Sequence, residues 1–265
     1  MAACGFKHGR ALAAKGSLVD SLFLFSAVAG IFLLAGLVKG VIGMGLPTVA
    51  IGLLGLMMTP AQAAAILVVP SLISNIWQFA IGGGLPALLK RLWPMLAGIC
   101  IGTFIGAVYL PHSGSGQATV WLGVALAVYA ALGLIKVQFS APPRVEIWLG
   151  LLVGIATGAV TVATGVFALP GVPYIQALQM DRHKLVQALG LSFTVSTVTL
   201  ALALQHAGEI HAALVWPSLL ALVTVLIGMG AGQLVRGRIK PETFRLYFFL
   251  GLLALGAHLA LRGLL

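Results

Sequence analysis

Charge is what this sequence has least of: only 8% of its 265 residues are Asp, Glu, Lys or Arg, against roughly a quarter in an ordinary soluble domain. A chain with so little polar surface cannot cover itself in water, which excludes a free-standing soluble globule. No hydrophilic stretch is long enough to fold as a separate soluble domain. Acidic residues are scarcest, five in all, at Asp20, Glu146, Asp181, Glu209 and Glu242, each at the end of an apolar run or between two. An ion-coupled cation carrier or a carboxylate proton relay keeps an acid inside the membrane, where it is costly and therefore functional. No apolar run here has one at its centre, which argues against both. Cysteine is nearly absent, and Cys4 and Cys100 form no metal-ligand spacing. Neither His-Glu-x-x-His nor Gly-x-Ser-x-Gly occurs, so an intramembrane hydrolase lacks its constellation. No catalytic residue, metal or cofactor is expected.

Apolar residues fill the space that charge leaves. They make up 60% of the chain, and mean hydropathy is +1.11. A helical crossing needs about 20 apolar residues, and runs of that kind lie at 19–42, 61–82, 87–110, 117–138, 147–165, 184–205, 212–235 and 243–262. The expected fold is an all-α membrane protein of about eight transmembrane helices. The net charge of +10 does not point to nucleic acid. Most basic residues lie in short loops or at span ends, as membrane topology signals do, and a basic patch with interleaved aromatics is missing. Ala27-Val28-Ala29 resembles a signal-peptidase site after Lys7, Arg10 and Lys15, but the counterpart of this span is kept later in the chain, so it reads as an uncleaved first helix.

Two further apolar stretches, about 44–58 and 166–179, are too short to cross alone and read as re-entrant or half-depth segments. Each follows a Gly/Pro break, Gly43-Met44-Gly45-Leu46-Pro47 in one case and Gly165 to Pro173 in the other. Irregular backbone at membrane depth survives only where protein or a watery cavity satisfies it, so a site is sought there first. The chain also repeats itself. Leu33–Gly40 parallels Leu151–Gly158, Trp93-Pro94 parallels Trp216-Pro217, and Ser71 and Ser74 then fall opposite Thr194 and Thr197. The expected organisation is a cytoplasmic tail (1–17), a first four-span repeat (18–138), a connecting loop (139–146) and a second four-span repeat (147–265). Four spans per repeat place the N-terminal cations, Lys90/Arg91 and Lys136/Arg144 on one side. Arg236, Arg238, Lys240 and Arg245 then fall on the other, against the positive-inside rule.

Within this apolar background a few polar residues stand out. Ser71, Ser74, Asn75 and Gln78 follow Pro70 at helical spacing and form one polar stripe. It serves either interhelical hydrogen bonding, worth about 0.6 kcal/mol per contact on average, or the lining of a site whose neutral donors hold an oxyanion without trapping it. Lys39 stands just before the first break. It either snorkels to the interface or supplies positive charge beside a broken helix whose free N–H groups already favour an anion. His206, Glu209 and His211 read as a wet interfacial loop. Gly98, Gly102 and Gly106 read as a helix-packing face.

The string Gly36-x-x-x-Gly40-x-x-Gly43-x-Gly45 with Pro47, then Pro70-Ser71-x-x-x-Asn75-x-Trp77-Gln78, then Gly154-x-x-x-Gly158, resembles the TauE/SafE sulfite exporter family along nearly the whole chain. The resemblance implies a multi-pass transporter of the bacterial inner membrane, no enzyme. It would move sulfite, sulfonates or related organosulfur anions, outward, by alternating access of two repeats. An anion channel, or a carrier of a different small organic anion, are the alternatives. Candidate substrate-binding residues are Lys39, Gly43, Gly45, Ser71, Ser74, Asn75, Gln78, Thr161, Thr164, Thr194 and Thr197. The partners implied are a small anion and the lipid bilayer, and the assembly a monomer or homodimer.

Overall fold

The computed structural model describes residues 3–80, 83–109, 115–135, 140, 142 and 144–263, with side chains from Leu22 onward other than those of Ser115 and Pro241. Lys136 and the side chains of Lys7, Arg10, Lys15 and Asp20 therefore lie outside the described residues, as do parts of the 139–146 loop. The described chain is all helical, without a strand: α1 (Ala3–Ile42), α2 (Leu46–Leu54), α3 (Pro60–Ala80), α4 (Leu85–Tyr109), α5 (Ser115–Ile135), α6 (Glu146–Thr164), α7 (Gly171–Ala177), α8 (Arg182–His206), α9 (Val215–Arg236) and α10 (Pro241–Arg262). Eight of these, all but α2 and α7, are long and apolar enough to cross a membrane, α1 from Leu22 onward. They match the eight apolar runs one to one. Large apolar side chains crowd the outer faces, among them Phe23, Trp77, Phe104, Trp148 and Trp216, each more than half exposed. Water would not tolerate such a continuous surface, whereas lipid would. Val28 and Phe32 are fully enclosed, so the first helix is part of the packed core.

With lipid outside, helices gain little by hiding apolar area from one another, and close packing through small residues takes over. In α1 and α9, Gly36 and Gly40 face Gly228 and Gly232. A methyl added at Gly36 would stand 2.3 Å from the Val225 carbonyl oxygen, and one at Gly228 would stand 2.2 Å from that of Leu33. In α4 and α6, Gly98 and Gly102 face Gly154 and Gly158 in the same way, with 2.4 Å from Gly98 to the Leu151 oxygen and 2.2 Å from Gly154 to that of Met95. Both pairs run parallel, whereas α5 against α10 and α3 against α8 run antiparallel, as Gly123 meeting Ala260 and Gly190 meeting Phe79 and Asn75 indicate.

The short segments do not behave as re-entrant loops. Lys39 contacts Ser74 and Asn75, and Gln78 contacts the Gly43 carbonyl, so α1 and α3 run parallel. The chain between them must return to the end from which α1 set out. It does so through α2: Met44 lies level with Tyr129, Gly55 with Leu122, and the Leu56 carbonyl reaches Arg262 at the far end of α10. The second break repeats this. Arg91 at the start of α4 pairs with Glu146 at the start of α6 and also bonds the Leu178 carbonyl after α7, so 165–181 brings the chain back to the end where α6 began. This corrects the expectation of segments that enter and leave on one side or stop at half depth. The reason is reach. The nine helical residues of α2 supply about 14 Å at 1.5 Å each, and the hydrogen-bonded turns that follow at residues 55–58 carry the chain on to the level of Arg262. A second expectation changes too: Pro94 lies inside α4 whereas Pro217 opens α9, so the two Trp-Pro pairs do not hold equivalent places.

One consequence concerns charge. Lys90, Arg91, Arg144, Arg182, Lys184, Arg236, Arg238, Lys240 and Arg245 all gather at one end of the bundle. Among the described side chains only Arg262 of the loop and helix-end cations lies at the other end, where α1, which carries Lys7, Arg10 and Lys15 near its start, begins.

Candidate functional site

At the first break, Gly43 and Gly45 take φ values of 86° and 100°. Both lie in the left-handed region that costs other residues roughly 1–2 kcal/mol. The two turns let the chain leave α1 and start α2 beside it. The Gly43 N–H still bonds the Lys39 carbonyl at 2.7 Å, so Lys39 occupies the last complete turn of α1, against α3.

There Lys39 is buried, 3% exposed. Its side chain does not climb to the interface. Nζ donates to Ser74 Oγ at 3.0 Å and to Asn75 Oδ1. Ser74 Oγ donates onward to the Ser71 carbonyl (3.1 Å), and Asn75 Nδ2 donates to Ser71 Oγ (3.0 Å). Ser71 Oγ lies 3.2 Å from Thr197 Oγ1 on α8. Since the Thr197 hydroxyl donates to the Phe193 carbonyl at 2.7 Å, the Ser71 proton is the one shared across α3 and α8. Gln78 closes the upper edge, its Nε2 donating to the Gly43 carbonyl (3.1 Å) and to the Val186 carbonyl (2.9 Å).

The donors of Lys39 and Asn75 are only partly used. An ammonium has three N–H groups and an amide nitrogen two. Lys39 uses two of its three and Asn75 one of its two. No carboxylate pairs with Lys39 among the described residues. One more buried polar atom in this region is unpaired, Ser196 Oγ, next to Thr197 on α8. With Lys39 protonated, the site is cationic and rich in unspent donors.

Of the residues singled out in the sequence, the fold brings together Lys39, Ser71, Ser74, Asn75, Gln78 and Thr197, with Gly43 as their backbone neighbour. Gly45 caps α2, and its carbonyl accepts the Thr48 hydroxyl at 2.8 Å. Thr194 bonds the Gly190 carbonyl of its own helix, and Thr161 and Thr164 bond the carbonyls of Thr157 and Val160 (2.7 Å each). No hydrogen bond joins these three to the Lys39 group. The second break touches the first half instead, with Gly165 against Ile51 and Ala64. Sequence reasoning missed Arg245 and Tyr129 as pocket residues, because each sits in an ordinary apolar helix and only the packing of α1, α5, α7 and α10 brings them together.

The family model for the sulfite exporter TauE/SafE family matches residues 28–259. The chain belongs to the TauE/SafE family. No curated protein and no solved structure matches it. Membership makes the chain a member of a membrane transporter family, and its eight long apolar helices make it multi-pass.

Proposed function

We propose that this protein carries small sulfur oxyanions, sulfite or organic sulfonates, across the bacterial inner membrane, with the Lys39–Ser74–Asn75 group as the binding site. The observation that carries the reading is the buried, carboxylate-free Lys39 with N–H groups to spare on Lys39 and Asn75. An unpaired buried charge is expensive, and an arriving anion removes that penalty by becoming the missing counter-charge. Neutral hydroxyl and amide partners hold an oxyanion without the permanent grip of several cations, so it can leave again.

Transport by two moving halves is supported by the packing. Gly36 and Gly40 meet α9 as Gly154 and Gly158 meet α4, and Gly98 and Gly102 meet α6 as Gly228 and Gly232 meet α1. Exchanging the halves reproduces the same contacts. Each half contains a returning short segment, so the halves would be inverted relative to each other, the arrangement in which a midplane site opens alternately to either face. The basic end belongs in the cytoplasm by the positive-inside rule. That orientation puts the start of α1, and with it the 1–17 tail, outside, opposite to the sequence-based expectation. With the inside negative, each anionic charge gains about 2.3 kcal/mol per 100 mV on leaving, which favours export.

Uptake into inverted vesicles of sulfite, thiosulfate, sulfoacetate, taurine and acetate tests the reading. Saturable uptake of sulfite or a sulfonate, with counter-transport and little acetate, is expected. Uptake that does not saturate would make the protein a channel, and equal acetate uptake would remove the sulfur-anion assignment.

A further inference from the structure

Just below the basic end lies a recess of about 90 Å³ between α1, α5, α7 and α10. Ile42 and Met44, the two neighbours of Gly43, form part of its wall, and Tyr129, Gln176, Arg245 and Phe249 line it as well. Arg245 is half-buried. One of its N–H groups donates to the Gly133 carbonyl at 3.0 Å, and its guanidinium carbon stands 5.5 Å from the centre of the Phe249 ring. A guanidinium carries five N–H donors, so most remain free. No carboxylate ion-pairs with Arg245 among the described residues. Glu242, one turn earlier on α10, shares a neighbouring recess with it but no salt bridge. The Tyr129 hydroxyl is held against Met44 Sδ at 3.4 Å, which fastens the recess to the break.

The recess stands one helical turn from the substrate site, because the Gly43 N–H bonds the Lys39 carbonyl. At the far end Arg262 spends a donor on the Leu56 carbonyl at 2.8 Å and takes no part in this recess.

We propose that this recess is the anion-receiving mouth on the basic face and that Arg245 is its selectivity residue, drawing a small oxyanion in and rejecting cations before it reaches Lys39. The inference rests on the carrier reading for its physiological meaning. A cleft lined by one sign of charge raises the local concentration of the opposite ion, and an arginine with free donors also fits an oxyanion's oxygens.

Two measurements test it. The first is independent of transport. With Cys4 and Cys100 replaced by alanine, Gln176→Cys is labelled by an anionic and by a cationic thiosulfonate of similar size. The anionic reagent is expected to react faster by about tenfold, the lower bound for such focusing, and adding Arg245→Gln should erase that preference while Arg245→Lys keeps part of it. A charge preference unaffected by Arg245→Gln overturns the proposal. The second uses vesicles of both orientations. Arg245→Gln should raise the apparent KM for sulfite offered at the basic face and leave that at the opposite face unchanged, whereas Lys39→Gln should weaken both. Equal change at both faces, or none at either, overturns the proposal even where wild-type transport stands. Wild-type protein that carries no sulfur anion defeats the carrier reading instead, and the labelling result then decides the mouth alone. Should Arg245→Gln fold poorly, Gln176→Glu, which places a negative charge in the recess, is expected to raise KM at the same face only.

Discussion

At the scale of single residues, the decisive feature is a lysine whose partners carry no charge. Replacing Lys39 with Gln keeps length and hydrogen-bonding capacity and removes the cation. Exchanging a charge-assisted hydrogen bond for a neutral one gives up about 1.4 kcal/mol, so apparent affinity for the transported anion should fall by roughly tenfold at matched protein level. Unchanged affinity would return Lys39 to a structural role. Asn75→Ala removes both the acceptor for Lys39 and a free donor, and leaves Ser71 Oγ without a donor. It should weaken transport more than Ser74→Ala, which removes a single neutral acceptor, and vesicle uptake rates will rank the two. Ser196 offers a contrast. Its Oγ is buried without a partner, and deleting an orphan hydroxyl is near neutral or stabilising. Ser196→Ala should therefore leave the melting temperature unchanged or raise it, and a loss of transport in that stable variant would add Ser196 to the site. The sequence already displayed the stripe through its helical spacing. It could not tell which of the two meanings of Lys39 held, because that depends on residues 35 and 36 positions away.

At the scale of elements, small residues set helix spacing and glycine turns set direction. Gly102 shows the first most sharply: an added methyl would stand 2.0 Å from the Ile155 carbonyl oxygen. Backbone cannot step aside as a side chain can, so Gly102→Ala should push α4 from α6 and cost about 1–3 kcal/mol. A thermal-stability assay in detergent should show a clear drop, and Gly251→Ala, with open space around it, should not. The start of α8 shows a different device. Asp181 Oδ1 accepts the Lys184 N–H at 3.0 Å, and this backbone bond, with the Lys184 ammonium 3.2 Å from Oδ2, holds the carboxyl below its ordinary pKa. The cap is therefore intact above the usual carboxylate range and lost as pH falls through the lowered value. The Gly/Pro breaks were readable as discontinuities from the sequence. Their direction was not, since a stretch of about fifteen apolar residues suits a returning hairpin as well as a half-depth plug. The Trp-Pro pairs misled because shared dipeptides carry no information about helix register, whereas the glycine faces do.

At the scale of the whole molecule, the proposed orientation rests on the two returns and the basic end they assemble. Single cysteines placed at Lys184 and at Arg238 should react with a membrane-impermeant thiol reagent only from the cytoplasmic side, and one at Glu209 only from outside. Labelling of the Lys184 and Arg238 positions from opposite sides would overturn the proposed orientation. By itself the sequence determined the class of protein, the count of long spans and the polarity of the candidate stripe. These depend on local composition and helical period, and in a bilayer that backbone must satisfy itself helix by helix. Only the tertiary structure decided that α1 and α3 run parallel, that nine described basic residues share one end, and that Lys39 meets Ser74 and Asn75 rather than lipid head groups. Each of these is a contact between segments far apart in the chain, and hydrophobic periodicity, which records only which face of a helix is apolar, carries nothing about which neighbour that face will meet.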